Sequence, residues 1–173
     1  MKKIINHLIS IIFAIIIGLL LQAFVIMGTV MHNSNMTPIL KSGDRLIVNK
    51  ITTTFNLLKN NDVIMYHHNG HTYVARIIGE PGQSIVFKNG KLLRDDRQVD
   101  EPYVKSNSID NLALRQIKGS ESDIVPTNNY FVLNDHRQNK QDSRSFGYIH
   151  KKDIIGEVSL RYYPFKAFTV DFK

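Results

Sequence analysis

A polar stretch in the second half of the chain, Asp135–Gly147, holds the residue types of a serine hydrolase. It contains Asp135, His136 and Ser143, and a serine activated by a histidine that an acidic residue orients can attack an acyl carbon. Residues so close in sequence rarely reach the geometry of such a triad, and no G-x-S-x-G turn presents the serine. The sequence therefore does not predict a Ser-His-Asp triad.

Three histidines, His67, His68 and His71, surround an Asn69-Gly70 pair. His68 and His71 would face each other across a hairpin with that turn, and imidazole is a common metal ligand. No carboxylate nearby completes a ligand set, and hairpin tips are usually solvated. The chain also has no cysteine, which excludes disulfides and thiolate ligands. We therefore predict no metal site and no cofactor.

A third stretch, Met31–Leu40, reads M-H-N-S-N-M-T-P-I-L and precedes a Gly43-Asp44 pair. It offers a serine, Ser34, directly beside an asparagine, Asn35. A serine hydroxyl becomes a nucleophile when a base takes its proton, whereas a carboxamide has neither an ionisable hydroxyl nor a nucleophilic lone pair at neutral pH. The two neighbours would face opposite sides of an extended chain, so at most one of them meets a given base.

These stretches follow a nearly unbroken apolar run from Leu8 to Met27. About twenty residues at ~1.5 Å rise match the ~30 Å hydrocarbon core of a bilayer. A soluble helix does not need apolar residues on every face over such a length. Lys2 and Lys3 precede the run and no charge follows it until Lys41. The positive-inside rule thus predicts a single-pass signal anchor, residues 8–27, with residues 1–7 in the cytoplasm and the domain outside the cell.

After residue 40 the patterns favour strands over helices. Two Asn-Gly pairs each separate two β-rich runs, which is the strongest short hairpin signal. Residues 94–129 are polar, charged and thinly apolar, which predicts an inserted, partly irregular subdomain. We expect a mostly β fold, with an antiparallel core of residues 28–93 and 130–173 and a smaller inserted β subdomain. The predicted strands are Arg45–Asn49, Asp62–His68, His71–Gly79, Ser84–Lys88, Lys91–Leu93, Tyr130–Asn134 and Ile154–Arg161.

The net charge of +7 indicates an anionic partner. No basic cluster or nucleic-acid motif accompanies it, and a domain outside the cell would not meet nucleic acid, so we expect no nucleic-acid partner. Anionic lipid head groups or wall polymers are the better match for this charge.

Three blocks resemble the bacterial type I signal peptidases, which cleave peptides with a serine/lysine dyad. They are N-M-T-P-I-L at 35–40 with its Gly-Asp turn, Y-V-A-R-I-I-G-E-P-G-Q at 73–83 and N-D-H-R-Q-N-K-Q-D-S-R-S-F-G at 134–147. One block alone would be weak, but three in the family's order behind an apolar anchor are specific. The resemblance covers most of the chain after residue 30 and implies a location at the bacterial cell membrane.

The resemblance also implies that the reacting groups of the family are missing. The position of the nucleophilic serine holds Asn35, and that of the lysine base holds Ala75. Lys140 stands where a family serine binds the lysine amine, Asn134 replaces a glycine and His136 an asparagine. Losing the nucleophile of a serine protease costs on the order of a millionfold in kcat, and losing its base as well adds little. We therefore predict a catalytically inactive homologue, a pseudo-enzyme.

The supporting residues of the family's site are retained, and the resemblance assigns them to a structural shell held by carboxylate–guanidinium pairs. They are Asp135, Arg137, Asp142, Ser143 and Arg144. Family substrates are extended signal peptides, bound through main-chain hydrogen bonds and apolar pockets. The backbone N–H of Asn35 would remain as an oxyanion-hole donor. The matching peptide-groove positions are Met36, Pro38, Leu40, Tyr73, Val74 and Ile78.

Three functions remain open at this stage. The chain would be a non-catalytic homologue that binds signal peptides of secreted precursors or partners an active signal peptidase in the membrane. It would be an active peptidase if Ser34 and Lys140 formed a substitute pair. Two arguments oppose this alternative: Ser34 faces the opposite side of the chain from Asn35, and a solvated lysine on a loop is protonated at neutral pH. It would be a membrane-tethered binding module if the basic surface held anionic lipid or wall polymer.

Overall fold

The computed structural model of the chain describes residues 2–106 and 108–172. It begins with a long helix, α1 (Lys2–Phe24), of 23 residues, which at ~1.5 Å per residue is about 35 Å long. A window of this helix, Lys3–Leu20, is long and apolar enough to cross a membrane, and none of it is buried against the rest of the protein. Such a helix, apolar on every face and uncovered, is typical of a lipid environment.

Eleven strands, two single-turn α-helices and three 3₁₀ turns follow within the described residues. The helices are α2 (Ile51–Thr54) and α3 (Ser143–Phe146). The strands are β1 (Ile26–Val30), β2 (Arg45–Asn49), β3 (Val63–His68), β4 (His71–Gly79), β5 (Ile85–Lys88), β6 (Lys91–Arg94), β7 (Arg97–Val99), β8 (Leu112–Ala113), β9 (Asn129–Leu133), β10 (Ile149–His150) and β11 (Ile154–Tyr163).

The strands form two antiparallel sheets. The larger has the order β1-β2-β11-β3-β4-β9-β10, and the smaller has the order β7-β6-β5-β8. The hairpins β3–β4 and β5–β6 turn at Asn69-Gly70 and Asn89-Gly90, where all four residues have positive φ. Two consecutive positive φ values define the type I′ turn that matches strand twist. The mostly β fold class is confirmed.

The smaller sheet begins at Ile85, whereas the sequence analysis placed the start of the inserted subdomain at residue 94. The β5–β6 hairpin pairs with β7 and β8 and not with the large sheet. Its apolar residues Phe87 and Leu92 are buried with Tyr103 and Val125, and the whole cluster packs on Phe131 of the large sheet. A local hairpin signal does not show which sheet the hairpin joins.

The structure differs from the predicted elements in further places. Ile26 and Met27, expected in the membrane segment, belong to β1, because they pair with Asn49 and Val48 of β2. The segment between β2 and β3, in which no strand is predicted, begins with the single turn α2. Strands β7, β8 and β10 have two or three residues each, which is too short for a periodic pattern to indicate them.

Alternation along β4 divides the core into two faces. Val74 lies in one cluster with Met36 and Leu40, while Ala75 lies in another with Tyr66 and Ile77. Adjacent strand residues point to opposite faces of a sheet, so β4 separates the turn at Met36 from the cluster that surrounds Ala75.

Gly156 of β11 packs tightly against the backbone of β2. A Cβ at this position would lie 2.3 Å from the carbonyl oxygen of Asn49, a backbone atom that cannot rotate away. We expect Gly156→Ala to lower the free energy of unfolding by about 1–3 kcal/mol in denaturant titrations. Gly28→Ala in β1 is the matched control, since a Cβ there meets nothing within 4 Å. Equal stabilities of the two variants would contradict the tight contact.

Candidate functional site

Asn35 lies on a turn that is bonded to the loop of residues 134–147. Only 4% of the residue is exposed. Its carbonyl accepts a hydrogen bond from the His136 N–H at 2.9 Å, and its side-chain Oδ1 accepts one from Asn139 Nδ2 at 2.6 Å. Its own N–H donates to Asn33 Oδ1 at 3.2 Å, so the donor expected for an oxyanion hole is already engaged. The nucleophile position therefore carries a carboxamide in a structural role.

Ala75 is fully buried in β4, opposite Ile64 of β3. Its methyl group accepts no proton. The phenol of Tyr66 lies in the same apolar cluster, but burial, with a smaller contribution from the Asp142 carboxylate, raises the pKa of Tyr66 far above its usual range. Tyr66 thus stays protonated at physiological pH and does not replace the missing base.

Asn134 directly follows β9, one residue past the last pair with β4. The β4–β9 register ends with Arg76 opposite Leu133, so its continuation by one residue would set Asn134 opposite Ala75. Opposed residues of antiparallel strands project from the same face, with Cβ atoms about 4.5–5.5 Å apart. The Asn134 side chain is fully buried, and its Nδ2 donates to the carbonyls of Asn139 and Gln141, both at 3.2 Å. A long side chain at position 75 would therefore run against this carboxamide.

The carboxamides of Asn35 and Asn134 each have one buried atom without a hydrogen-bond partner among the described residues: Asn35 Nδ2 and Asn134 Oδ1. Their orientations follow from their neighbours, because Asn139 Oδ1 accepts the Gln141 N–H at 2.8 Å and its Nδ2 therefore faces Asn35. One unpartnered atom is thus a donor and the other an acceptor. An unsatisfied buried polar atom costs about 1–3 kcal/mol, so a group that offers both a carbonyl and an N–H would be stabilised here.

The retained shell is anchored by a buried ion pair between Arg76 and Asp135. The guanidinium binds both carboxylate oxygens, Nε to Oδ1 at 2.7 Å and Nη2 to Oδ2 at 2.6 Å, and neither side chain is exposed. Burial raises the pKa of Asp135, and the charge and hydrogen bonds of Arg76 oppose that rise. Arg76 Nη1 also donates to the carbonyls of Asn61 at 2.8 Å and Phe172 at 2.6 Å, and its face covers Tyr103.

A further group of shell residues lies at the other end of the loop. Asp142 Oδ1 accepts from the N–H and Nε of Arg144, at 3.1 Å and 2.8 Å, and Oδ2 accepts from the Asn134 N–H at 3.0 Å. Arg144 Nη1 donates to the carbonyl of Arg137 at 2.6 Å, and Nη2 donates to that of Asn139. Ser143 Oγ accepts the Val132 N–H at 3.0 Å. Asp142, Ser143 and Arg144 are thus fixed by the loop or by β9.

Arg137 reaches away from the loop to the smaller sheet. It is fully buried, and its Nη2 pairs with Glu101 Oε1 at 2.5 Å. Glu101 and Arg76 were not singled out from the sequence. A charged residue inside the apolar strand of residues 71–79 is a signal that could have identified Arg76, whereas Glu101 sits in a polar stretch that carries no such signal.

The substitute chemistry considered above finds no support in the geometry. Ser34 and Lys140 are both exposed, whereas a lysine that serves as a base is made neutral by burial. The residues of the possible triad have other contacts. Ser143 is hydrogen-bonded to the backbone of β9, Asp135 is held by Arg76, and His136 is exposed. These three side chains therefore do not form a catalytic relay.

The histidines of the β3–β4 hairpin have other contacts. His67 Nδ1 lies 3.2 Å from Thr72 Oγ1, and His68 stacks on Phe146 with 4.2 Å between ring centroids. Among the described residues, no group of three or more His, Asp or Glu side chains could hold a metal ion.

The predicted groove residues do not line one common surface. Met36, Leu40 and Ile78 have no exposed surface and belong to the core, so a peptide could not reach them without opening it. Tyr73 is half-buried and stacks on Tyr66, and Pro38 lines a separate pocket with Lys41 and Asp135. Val74 lines an open cleft of about 230 Å³. Its other walls come from Thr29–Asn33, Met65 and Thr72.

A family model described as signal peptidase, peptidase S26, matches residues 4–163. This chain belongs to the signal peptidase S26 family. It is 54% identical over 173 residues, all of this chain and 99% of the relative, to a Staphylococcus aureus (strain Mu50) protein named inactive signal peptidase IA. It is 37% identical over 161 residues, 88% of this chain and 87% of the relative, to signal peptidase I of Bacillus caldolyticus.

A solved signal peptidase I from Enterococcus faecalis shares the fold, with a TM-score of 0.55 and 26% identity over 58% of this chain and 96% of that one. The predicted family is thus confirmed. The prediction that this signal peptidase homologue is a pseudo-enzyme is confirmed by the relatives named inactive. Asn35 and Ala75, which the resemblance places at the nucleophile and base positions, have side chains that cannot perform nucleophilic or base catalysis.

Asp135→Asn tests the anchor of the shell. The change keeps the shape of the side chain but leaves the Arg76 guanidinium buried without a counter-charge, which typically costs about 3–5 kcal/mol. We expect a loss of this size in the free energy of unfolding, measured by denaturant titration. Arg115→Gln breaks the exposed pair with Asp123 and should leave the unfolding midpoint unchanged. A small effect of Asp135→Asn would show that the pair does not hold the loop.

Proposed function

We propose that this signal peptidase homologue is a membrane-anchored, non-catalytic protein whose cleft holds an extended segment such as the signal peptide of a secreted precursor. In this proposal α1 spans the cell membrane, with Lys2 and Lys3 on the cytoplasmic side and the β domain outside. The apolar, uncovered α1 and the family membership support the anchoring.

The peptide site is supported by a half-paired edge of β4. Residues His71–Arg76 pair with β3 on one side. On the other side, within the described residues, β9 pairs with β4 only from Arg76 onward. The first five residues of β4 therefore have one edge without a strand, next to the cleft lined by Val74 and Thr72. Unpaired strand edges are the surfaces to which extended peptides add as a further strand.

The hydrogen-bonding direction along β4 selects the residues that face this edge. Ile77 bonds through its N–H and C=O to Asp62 and Asn61, on the β3 side. Backbone groups alternate in direction along an antiparallel strand, so Val74 and Thr72 direct their N–H and C=O groups toward the open edge. Peptide binding at this edge requires neither Asn35 nor Ala75. The unpaired edge is the observation on which the proposal rests.

The absence of catalysis is tested with a purified full chain and a radiolabelled preprotein in detergent. We expect no cleavage by the wild type. Asn35→Ser with Ala75→Lys should also stay inert, because Asn134 crowds position 75, whereas adding Asn134→Gly should give measurable cleavage. Cleavage by the wild type that Ser34→Ala abolishes would contradict the proposal. Equal inertness of the double and triple variants would show that Asn134 is not the remaining obstacle.

Peptide binding is tested by fluorescence anisotropy of a labelled synthetic signal peptide with the full chain in detergent. Thr72→Pro removes the outward N–H of an exposed residue, and one lost hydrogen bond of about 1 kcal/mol should weaken binding roughly five- to tenfold. Thr72→Val is the matched control, since it keeps the N–H and should bind as the wild type does. Equal affinities of both variants would place the peptide elsewhere, and no saturable binding to the wild type would overturn the peptide-holding function.

A further inference from the structure

The largest pocket among those described, of about 560 Å³, lies where α1 meets the β domain and shares no lining residue with the cleft. Phe24, the last residue of α1, forms one wall. Lys50 and the segment His150–Lys152 form others, and Thr53 of α2 also contributes. Neither the family's chemistry nor the peptide cleft uses these residues.

The pocket is basic. Lys151 and Lys152 contribute two ammonium groups, and none of the described residues that line it is acidic. Like charges brought together on one surface repel each other unless an anion lies between them. The arrangement therefore favours an anionic ligand.

Uncharged donors stand beside the ammonium groups. His150 Nδ1 accepts the Lys152 N–H at 3.1 Å, so the neutral ring carries its proton on Nε2, as a donor. The Thr53 hydroxyl is buried and has no hydrogen-bond partner in the part of the chain that the structure describes. A hydroxyl, an imidazole N–H and ammonium groups together match the oxygens of a phosphate.

The position of the pocket is fixed relative to the membrane helix. The Lys50 N–H donates to the carbonyl of Val25 at 2.9 Å, one residue beyond the end of α1. Phe55 and Leu57, which follow α2, are 68% and 53% exposed. Basic side chains next to exposed apolar side chains at a helix exit are typical of a surface at head-group level.

We propose that this pocket binds the phosphate head group of an anionic phospholipid in the leaflet at the C-terminal end of α1, while Phe55 and Leu57 enter the adjoining acyl region. The proposal rests on the membrane anchoring proposed above, but not on peptide binding. Its effect is to hold the β domain down on the bilayer beside its anchor.

The test uses the full chain in detergent micelles, titrated with phosphatidylglycerol or phosphatidylcholine and observed by native mass spectrometry. The wild type should bind phosphatidylglycerol at least about tenfold more tightly, since each basic residue near an anionic surface contributes about a factor of five. Lys151→Gln with Lys152→Gln should lose on the order of thirtyfold in that affinity. The matched control, Lys88→Gln with Lys91→Gln, removes the same charge from the exposed β5–β6 hairpin and should bind as the wild type does.

Equal binding of the two lipids, or equal losses in the two double variants, would overturn the pocket as a head-group site. Displacement of phosphatidylglycerol by inorganic phosphate at matched concentration would show a site for soluble phosphate, and would overturn the lipid assignment. Co-flotation of the full chain with neutral phosphatidylcholine vesicles tests the anchoring separately. A chain that floats but shows no lipid preference refutes this inference alone, whereas a chain that does not float refutes the anchoring.

Discussion

The buried pair of Arg76 and Asp135 is the constraint on which the rest of the domain depends. A charge removed from water costs several kcal/mol unless its partner and its remaining donors are satisfied in good geometry. Arg76 meets this condition by drawing together the loop through Asp135, the C-terminal segment through Phe172 and the smaller sheet through Tyr103. Both sheets and the loop must therefore reach the same point for the core of the domain to close.

The candidate site differs from a dyad in the kind of hydrogen bonding that it contains. A serine and a lysine transfer a proton, and that transfer needs one group whose pKa is shifted toward neutrality. The carboxamides of Asn35, Asn134 and Asn139 donate and accept without changing protonation state. The shell holds this polar chain in place through Asp142 and Asp135. The same scaffold thus supports a fixed polar network where a reaction would otherwise take place.

Two surfaces lie at opposite ends of β1. The basic pocket adjoins its start, where Lys50 bonds to Val25, and the cleft adjoins its end at Val30. The strand spans about 14 Å from Ile26 to Val30. A head group bound at the near end would fix the height of the cleft above the bilayer, so a membrane-embedded peptide would need only a short extended segment to reach the open edge of β4.

The sequence by itself determined the apolar helix, both Asn-Gly hairpins, the family and the loss of the nucleophile and base, because each of these follows from a local pattern or from the residue type at one position. The tertiary structure decided the rest. Phe87 and Leu92 join the smaller sheet because of what they pack against, and Met36, Leu40 and Ile78 are core rather than groove because other elements cover them. The pairing of Arg137 with Glu101 and that of Arg76 with Leu133 join residues far apart in the chain. Local periodicity carries no information on such contacts, since they form only when separate elements meet.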